Sequence, residues 1–143
     1  MAIIMNEQFE CGCQLAVWKI TENMDKLIRV EKQYLEDAEF ALVAYGGNGR
    51  PAMAAVEMAR EKGMKVGFFR PIILWPFPDQ EVLRMAEKVR NILVCELNID
   101  GQLCREIARA SQGKAEVFHL GSGGVEPHLP AQILKEIERL YQS

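Results

Sequence analysis

Arg70, Pro71, Ile72, Ile73, Leu74, Trp75, Pro76, Phe77 and Pro78 form the stretch whose residue types are hardest to explain as filler. Its prolines fix φ and remove backbone donors, while Trp75 and Phe77 hold apolar area that a loop of a monomer cannot easily hide. The chemistry this offers is recognition: a stiff contact surface with Arg70 as a charged anchor and Trp75 and Phe77 as buried contact points. Glu96, Asn98 and Gln102 follow a later apolar run and supply hydrogen-bonding side chains able to meet Arg70 or a partner.

Gly46, Gly47 and Gly49 offer something different, because backbone amides at a strand-to-helix turn can receive an anion. The spacing is not the dinucleotide fingerprint: Ala52 stands where a further glycine is needed, and Arg70 closes the next apolar run where an acidic residue would hold a ribose. No Lys is followed by Ser or Thr, which excludes a Walker loop. A turn that lets a helix pack close to a sheet is the favoured explanation of these glycines.

The remaining reactive types are scattered. Cys11 and Cys13 stand alone as C-x-C, while Cys95 lies in an apolar run and Cys104 in a helical pattern, so neither a shared metal site nor a cluster-binding cysteine run is expected. His119 and His128 have no serine or cysteine placed beside them in sequence as a nucleophile, and read as core or surface histidines. Glu57 with Glu61, and Glu136 with Glu138, fall on helix faces that read as solvated. No residue receives a catalytic, cofactor-binding or metal-binding role.

The elements that must position these residues are legible from residue 39 onward. Four apolar runs, Phe40 to Tyr45, Lys65 to Phe69, Ile92 to Leu97 and Glu116 to Leu120, alternate with helical patterns. Their continuous apolarity is what strands covered on both faces require. Helical faces follow at Ala52, Ala55, Val56 and Ala59; at Val82, Leu83, Ala86 and Val89; at Leu103, Cys104, Ile107 and Ala108; and at Ile133, Leu134, Ile137 and Leu140. Gly63 and Gly113 act as stops, Asp79 after Pro78 as an N-cap, and Pro130 as a first helical residue. Right-handed crossovers then predict an α/β fold: a three-layer α/β/α sandwich over residues 35–143, with a mostly parallel sheet.

Residues 1–34 read as a helical lead-in. Val17, Ile20, Met24 and Leu27 form a narrow seam that fits either the domain's own flank or another chain, a homodimer included. Ile28 to Tyr34 is open to an extended course. The chain's 143 residues suit one globular domain, and 17 basic against 20 acidic side chains give a net charge of −3, which disfavours nucleic acid and anionic membrane as partners. The apolar start Met1 to Met5 lacks a basic flank and meets acidic residues at once, so it is no secretory segment, and no run spans a bilayer. Reduced thiols in a cytoplasmic setting are the expectation.

Several segments carry a family resemblance: LEDAEFALVAYG from Leu35 to Gly46, AREKGMKVGFFRPIILWPF from Ala59 to Phe77, ELNIDGQLCREI from Glu96 to Ile107, and GKAE from Gly113 to Glu116. In that order they resemble the alpha subunit of 2-oxoacid:ferredoxin oxidoreductases of the 2-oxoglutarate/2-ketoisovalerate type, in its transketolase C-terminal-like domain. Two departures stand out. Ile99 and Asp100 separate Asn98 from Gly101 where the family usually has one residue, and Leu129 precedes Pro130 where a Thr is common.

The resemblance implies a multi-subunit enzyme of anaerobic metabolism that uses thiamine diphosphate, magnesium, iron-sulfur clusters and coenzyme A. Such an enzyme decarboxylates a 2-oxoacid, passes the acyl group to coenzyme A and gives two electrons to ferredoxin. It implies as partners a thiamine-binding beta subunit and another alpha-subunit domain, with ferredoxin reached indirectly. None of these cofactors is expected on this chain, which has no Gly-Asp-Gly followed by an Asn pair. The residues alone leave a second function open, a free-standing domain in which Gly46 to Gly49 and Gly121 to Gly124, with Arg70 nearby, hold a phosphate or nucleotide ligand.

Overall fold

The computed structural model describes residues 7–124 and 126–142, with side chains from residue 14 onward; Met1 to Met5 and the Cys11 and Cys13 thiols lie outside the described residues. Helix α1 (Glu7–Thr21) and the single turn α2 (Met24–Leu27) lead into strand β1 (Val30–Gln33). The rest alternates: β2 (Phe40–Ala44), α3 (Gly49–Glu61), β3 (Val66–Pro71), α4 (Asp79–Ala86), β4 (Asn91–Glu96), α5 (Gln102–Ser111), β5 (Glu116–Gly121) and α6 (Pro130–Tyr141).

The five strands lie in the order β1-β3-β2-β4-β5, all parallel except β1, which runs antiparallel against β3. Strand alternation assigns the two faces. Phe40, Leu42, Ala44, Phe68, Leu93 and Cys95 face α3 and α6, while Ala41, Val43, Phe69, Ile92 and Val94 face α4 and α5. The result is the α/β/α sandwich with a mostly parallel sheet.

The extended option for Ile28 to Tyr34 is the one realised, over Val30–Gln33. This corrects the expected course of Arg70 and Pro71, which stay within β3 instead of leaving it, because Glu31 and Val30 pair with them. Proline is tolerated there because the parallel pairing of β3 with β2 has already ended at Phe69. A second correction concerns α4: Pro78 occupies the N-cap and Asp79 begins the helix. Asp79 then serves the exposed N-terminal turn through its charge, not as a cap.

Helix α6 begins at Pro130 as expected, and its first turn is tied by Gln132 Oε1, which accepts from the Leu129 N–H at 2.9 Å. Gly67 in β3 shows why a side chain is excluded beneath the 34–38 segment. A Cβ there would lie 2.5 Å from Leu35 Cδ2, 2.9 Å from Ala38 Cβ and 3.0 Å from the Tyr34 carbonyl. Gly67→Ala is expected to cost about 1–3 kcal/mol in urea unfolding, since two of those neighbours are backbone or a branchless core residue that cannot yield. An unchanged midpoint would show that the 34–38 segment moves freely.

Candidate functional site

Parallel strands deliver their carboxyl ends to one rim, and the antiparallel direction of β1 brings the lead-in helices to the same rim. Trp75 is presented there at 66% exposure, with Ile72 and Leu74 exposed beside it and Ile99 exposed on the loop after β4. Its peptide bond to Pro76 is cis. Val17, Ile20, Thr21 and Met24 of the lead-in line a groove with Trp75 and Pro76, so the seam reaches the aromatic loop. Phe77 takes a different place from its neighbour: it packs half-buried on the α4–α5 core, with the Arg109 guanidinium 5.7 Å above its ring.

Arg70 reaches back over the sheet. Its Nη1 lies 3.3 Å from Glu31 Oε2, and its Nε is buried without a hydrogen-bond partner. The guanidinium lies against the first turn of α3, so close that a Cβ on Gly49 would sit 2.8 Å from Nε. A side chain on Gly49 would displace the arginine from this path. Gly46, at φ +55, and Gly47 form a short 3-10 turn before it. The glycine turn and Arg70 are thus adjacent, with the arginine side chain resting on the turn itself.

Glu96 departs from its expected place on the rim. Its carboxylate is fully buried and points into the N-terminus of α5, accepting from the Leu103 and Cys104 N–H groups, each at 3.0 Å, and from Asn98 Nδ2 at 2.6 Å. A helix start places unpaired donors and positive potential where the strand ends, and this carboxylate answers both. Asn98 is turned inward with it, its Oδ1 accepting from the Gln102 N–H at 3.1 Å. Arg70 takes Glu31 as its carboxylate partner instead, and neither Glu96 nor Asn98 bonds to it. Gln102 remains exposed at the rim. His119 completes this corner, its Nε2 3.4 Å from Glu96 Oε1 and its ring held beside Gly101 and Gly121, where a Cβ on Gly121 would sit 2.5 Å from the ring.

A second buried polar group escaped the sequence reading. Asn48 and His128 are far apart in sequence, yet Asn48 Oδ1 accepts from the His128 N–H at 3.2 Å, Asn48 Nδ2 lies 3.4 Å from His128 Nδ1, and Cys95 Sγ lies 3.3 Å from the same nitrogen. The one available signal was a histidine shortly before a proline-started helix, which is too weak to identify its partners. Burial, and secondarily the Glu96 charge, push the Cys95 thiol up to about 12. Cys95 is then no nucleophile near neutrality.

Folded protein treated with iodoacetamide at pH 8 is expected to leave Cys95 unmodified, whereas urea-unfolded chain is labelled fully at this position. Because the folded thiol is raised above the unfolded value of 9.0, its contribution to stability is intact below pH 9 and is lost as pH climbs towards 12. Equal labelling in both states would refute the burial argument.

Among the described residues no three His, Cys, Asp or Glu side chains come together as a metal site, and no helix is long and apolar enough to cross a membrane. Among the described residues nothing fits an iron-sulfur cluster: Cys95 and Cys104 are separate thiols, both raised by burial, not converging thiolates.

Comparison with known proteins follows the same outline. Residues 38–131 match the family described as pyruvate:ferredoxin oxidoreductase core domain II. The 2-oxoglutarate synthase subunit KorA of Methanothermobacter marburgensis is 39% identical over 119 residues, 83% of this chain and 32% of that protein. The ketoisovalerate oxidoreductase subunit VorB of the same organism is 43% identical over 105 residues, 73% of this chain and 29% of that protein. The chain thus spans about a third of the length of these relatives.

Among solved structures, a 2-oxoglutarate:ferredoxin oxidoreductase from Magnetococcus marinus, with 2-oxoglutarate, coenzyme A and succinyl-CoA bound, superimposes with a TM-score of 0.82 at 20% identity. That match covers 97% of this chain and 24% of that one. A split-gene transketolase, an inactive beta4 tetramer, does so at 0.65 and 15% identity, over 78% of this chain and 41% of that one. These two show the fold. With most of its length inside the matched region, the chain belongs to the pyruvate:ferredoxin oxidoreductase core domain II family.

Proposed function

We propose that this chain acts as the transketolase C-terminal-like part of the alpha subunit of a 2-oxoacid:ferredoxin oxidoreductase, of the 2-oxoglutarate or 2-ketoisovalerate type. Its work is docking and support. The reacting groups, thiamine diphosphate with magnesium, the iron-sulfur clusters and the coenzyme A site, belong to the thiamine-binding beta subunit and to other alpha-subunit domains, and ferredoxin is met through them. The oxidation itself converts a 2-oxoacid and coenzyme A to acyl-CoA and carbon dioxide, with two electrons leaving to ferredoxin.

The observation that carries this reading is the exposure of Trp75 on the rim where the parallel strands end, which also leaves Ile72, Leu74 and Ile99 exposed. A large ring left two-thirds in water, flanked by Ile72 and Leu74, is costly unless another surface covers it. The relatives' names add support, since both are subunits of such enzymes. Arg70, Pro71, Pro76 and Gln102 frame the same rim, while Phe77, Glu96 and Asn98 hold it rigid from beneath.

The test is a turnover assay with thiamine diphosphate, magnesium, coenzyme A, a 2-oxoacid and a viologen acceptor. The purified chain is expected to reduce no dye alone and to support reduction when the thiamine-binding subunit and the remaining alpha-subunit domains are added. Dye reduction by the chain alone would end the proposed division of labour.

A further inference from the structure

The two edges of the sheet are finished differently. β1 closes one edge with Val30, Glu31, Lys32 and Gln33, a short and charged course that discourages any further strand. β5 closes the other with the longer run Glu116–Gly121, which holds neither proline nor lysine. The other parallel strands are sealed: β2 is buried throughout, and β3 and β4 each leave one residue partly exposed. No residue of β5 is buried.

Missing cover is the cause. Helix α6 packs chiefly on α3 and β4, so on that face Phe118 and Leu120 reach only the margin of the core, whereas parallel strands are ordinarily covered on both sides. Hydrogen bonding then marks which backbone groups are open. The Glu116 N–H donates to the Arg90 carbonyl at 2.9 Å, so Glu116, and by alternation Phe118 and Leu120, turn their backbone towards β4. Val117 and His119 turn theirs outward. β5 is last in the sheet order, so no described strand receives these groups, and a row of unpaired donors and acceptors is a template for one.

The strand reads well against its own reverse. With two copies antiparallel about a two-fold axis through Phe118, Val117 faces His119 of the second copy, and each exchanges both backbone bonds with the other. Phe118 meets its own counterpart at the closer, non-bonded spacing and on the uncovered face, which makes an aromatic pair. Glu116 falls opposite Leu120 of the second copy and Lys114 opposite Ser122 of the second copy, so no like charges meet across the seam. The edge is complementary to itself in bonds, in apolar contact and in charge.

We propose that β5 is a self-association edge, at which two copies of this chain join antiparallel through Val117 and His119 and merge their five-stranded sheets, with the Phe118 rings closing the seam. This surface is separate from the Trp75 loop, which follows β3 on the other side of the sheet.

Sedimentation equilibrium of the full chain, from micromolar to near-millimolar concentration, is expected to show a monomer passing to a dimer. Val117→Pro removes an outward N–H that takes no part in the ladder with β4, and is expected to weaken the dimer by about thirtyfold, since one bond is lost from each copy. Trp75→Ala is expected to leave it unchanged. Residue-resolved amide exchange of the wild-type chain gives a readout that needs no variant: Phe118 and Leu120 are expected to exchange slowly at every concentration, Val117 and His119 only where the dimer forms. A monomer over the whole range, a dimer whose Val117 and His119 amides still exchange fast, or full-strength association of a folded Val117→Pro chain would overturn the proposal. Protection of those amides that arises only on adding the thiamine-binding subunit would overturn it as well, by giving the edge to a different chain. None of these outcomes depends on whether Trp75 meets a subunit.

Discussion

Trp75→Ala is expected to leave the folded chain intact and to weaken its association with the thiamine-binding subunit by about thirtyfold or more. The first half follows from exposure: a ring 66% in water contributes little to the core, and substitutions at such positions usually change stability by less than about 0.5 kcal/mol. The second half follows from anchoring. Tryptophans held in a rigid loop and buried on association are worth about 2 kcal/mol or more when truncated, which is the thirtyfold factor.

Thermal unfolding and a surface-immobilised binding assay, run on the same preparations, separate the two effects. Parallel losses of stability and affinity would make Trp75 an ordinary packing residue. If sedimentation instead shows that the isolated wild-type chain self-associates and that Trp75→Ala abolishes this, the groove between Trp75 and Val17 serves a homodimer.

Glu96→Ala is expected to behave in the opposite way, losing stability first. The fully buried carboxylate accepts from two backbone N–H groups of α5 and from the Asn98 amide. Its removal strands three donors at the start of a helix, and deleting one side of a buried charge-assisted network costs about 3–5 kcal/mol. For a chain of this size that is a fall of about 10–20 °C in the unfolding midpoint. Glu96→Gln, which keeps the shape and one acceptor while losing the charge, is expected to recover part of the loss. A midpoint within about 2 °C of wild type for Glu96→Ala would contradict the internal role given to this carboxylate.

These two residues show where sequence reading succeeds and where it stops. Phe40 to Ala44 and Ile92 to Cys95 announce buried parallel strands because every position is apolar, and periodic faces such as Ile133, Leu134, Ile137 and Leu140 announce helices that cover them. The exposure of Trp75 was legible because the prolines around it leave it nowhere to fold away. Glu96 was not, since a carboxylate at a strand's end looks the same whether it faces water or a helix start. Only the return of α5 decides it. Phe77 carries the same ambiguity, resolved by Arg109 closing over it.

The His128 cluster lay further out of reach. Its members come from the turn after β2, the interior of β4 and the loop before α6, and no spacing rule links three such segments. The β1 strand was half legible: Val30–Gln33 is short and mixed in polarity, and it is a strand because β3 offers a free edge, not because its own pattern demands one. Propensity is local, whereas edges and orphaned donors are properties of the assembled sheet.

Hydrogen–deuterium exchange of the chain, recorded alone and after mixing with the thiamine-binding subunit, reads the docking rim directly. Protection is expected at Ile72 to Phe77, at Leu97 to Gln102 and along the Val17 to Met24 face, all at the carboxyl ends of the parallel strands. Protection confined to the opposite rim, around Glu39, Arg90 and Glu116, or no change on mixing, would contradict the account.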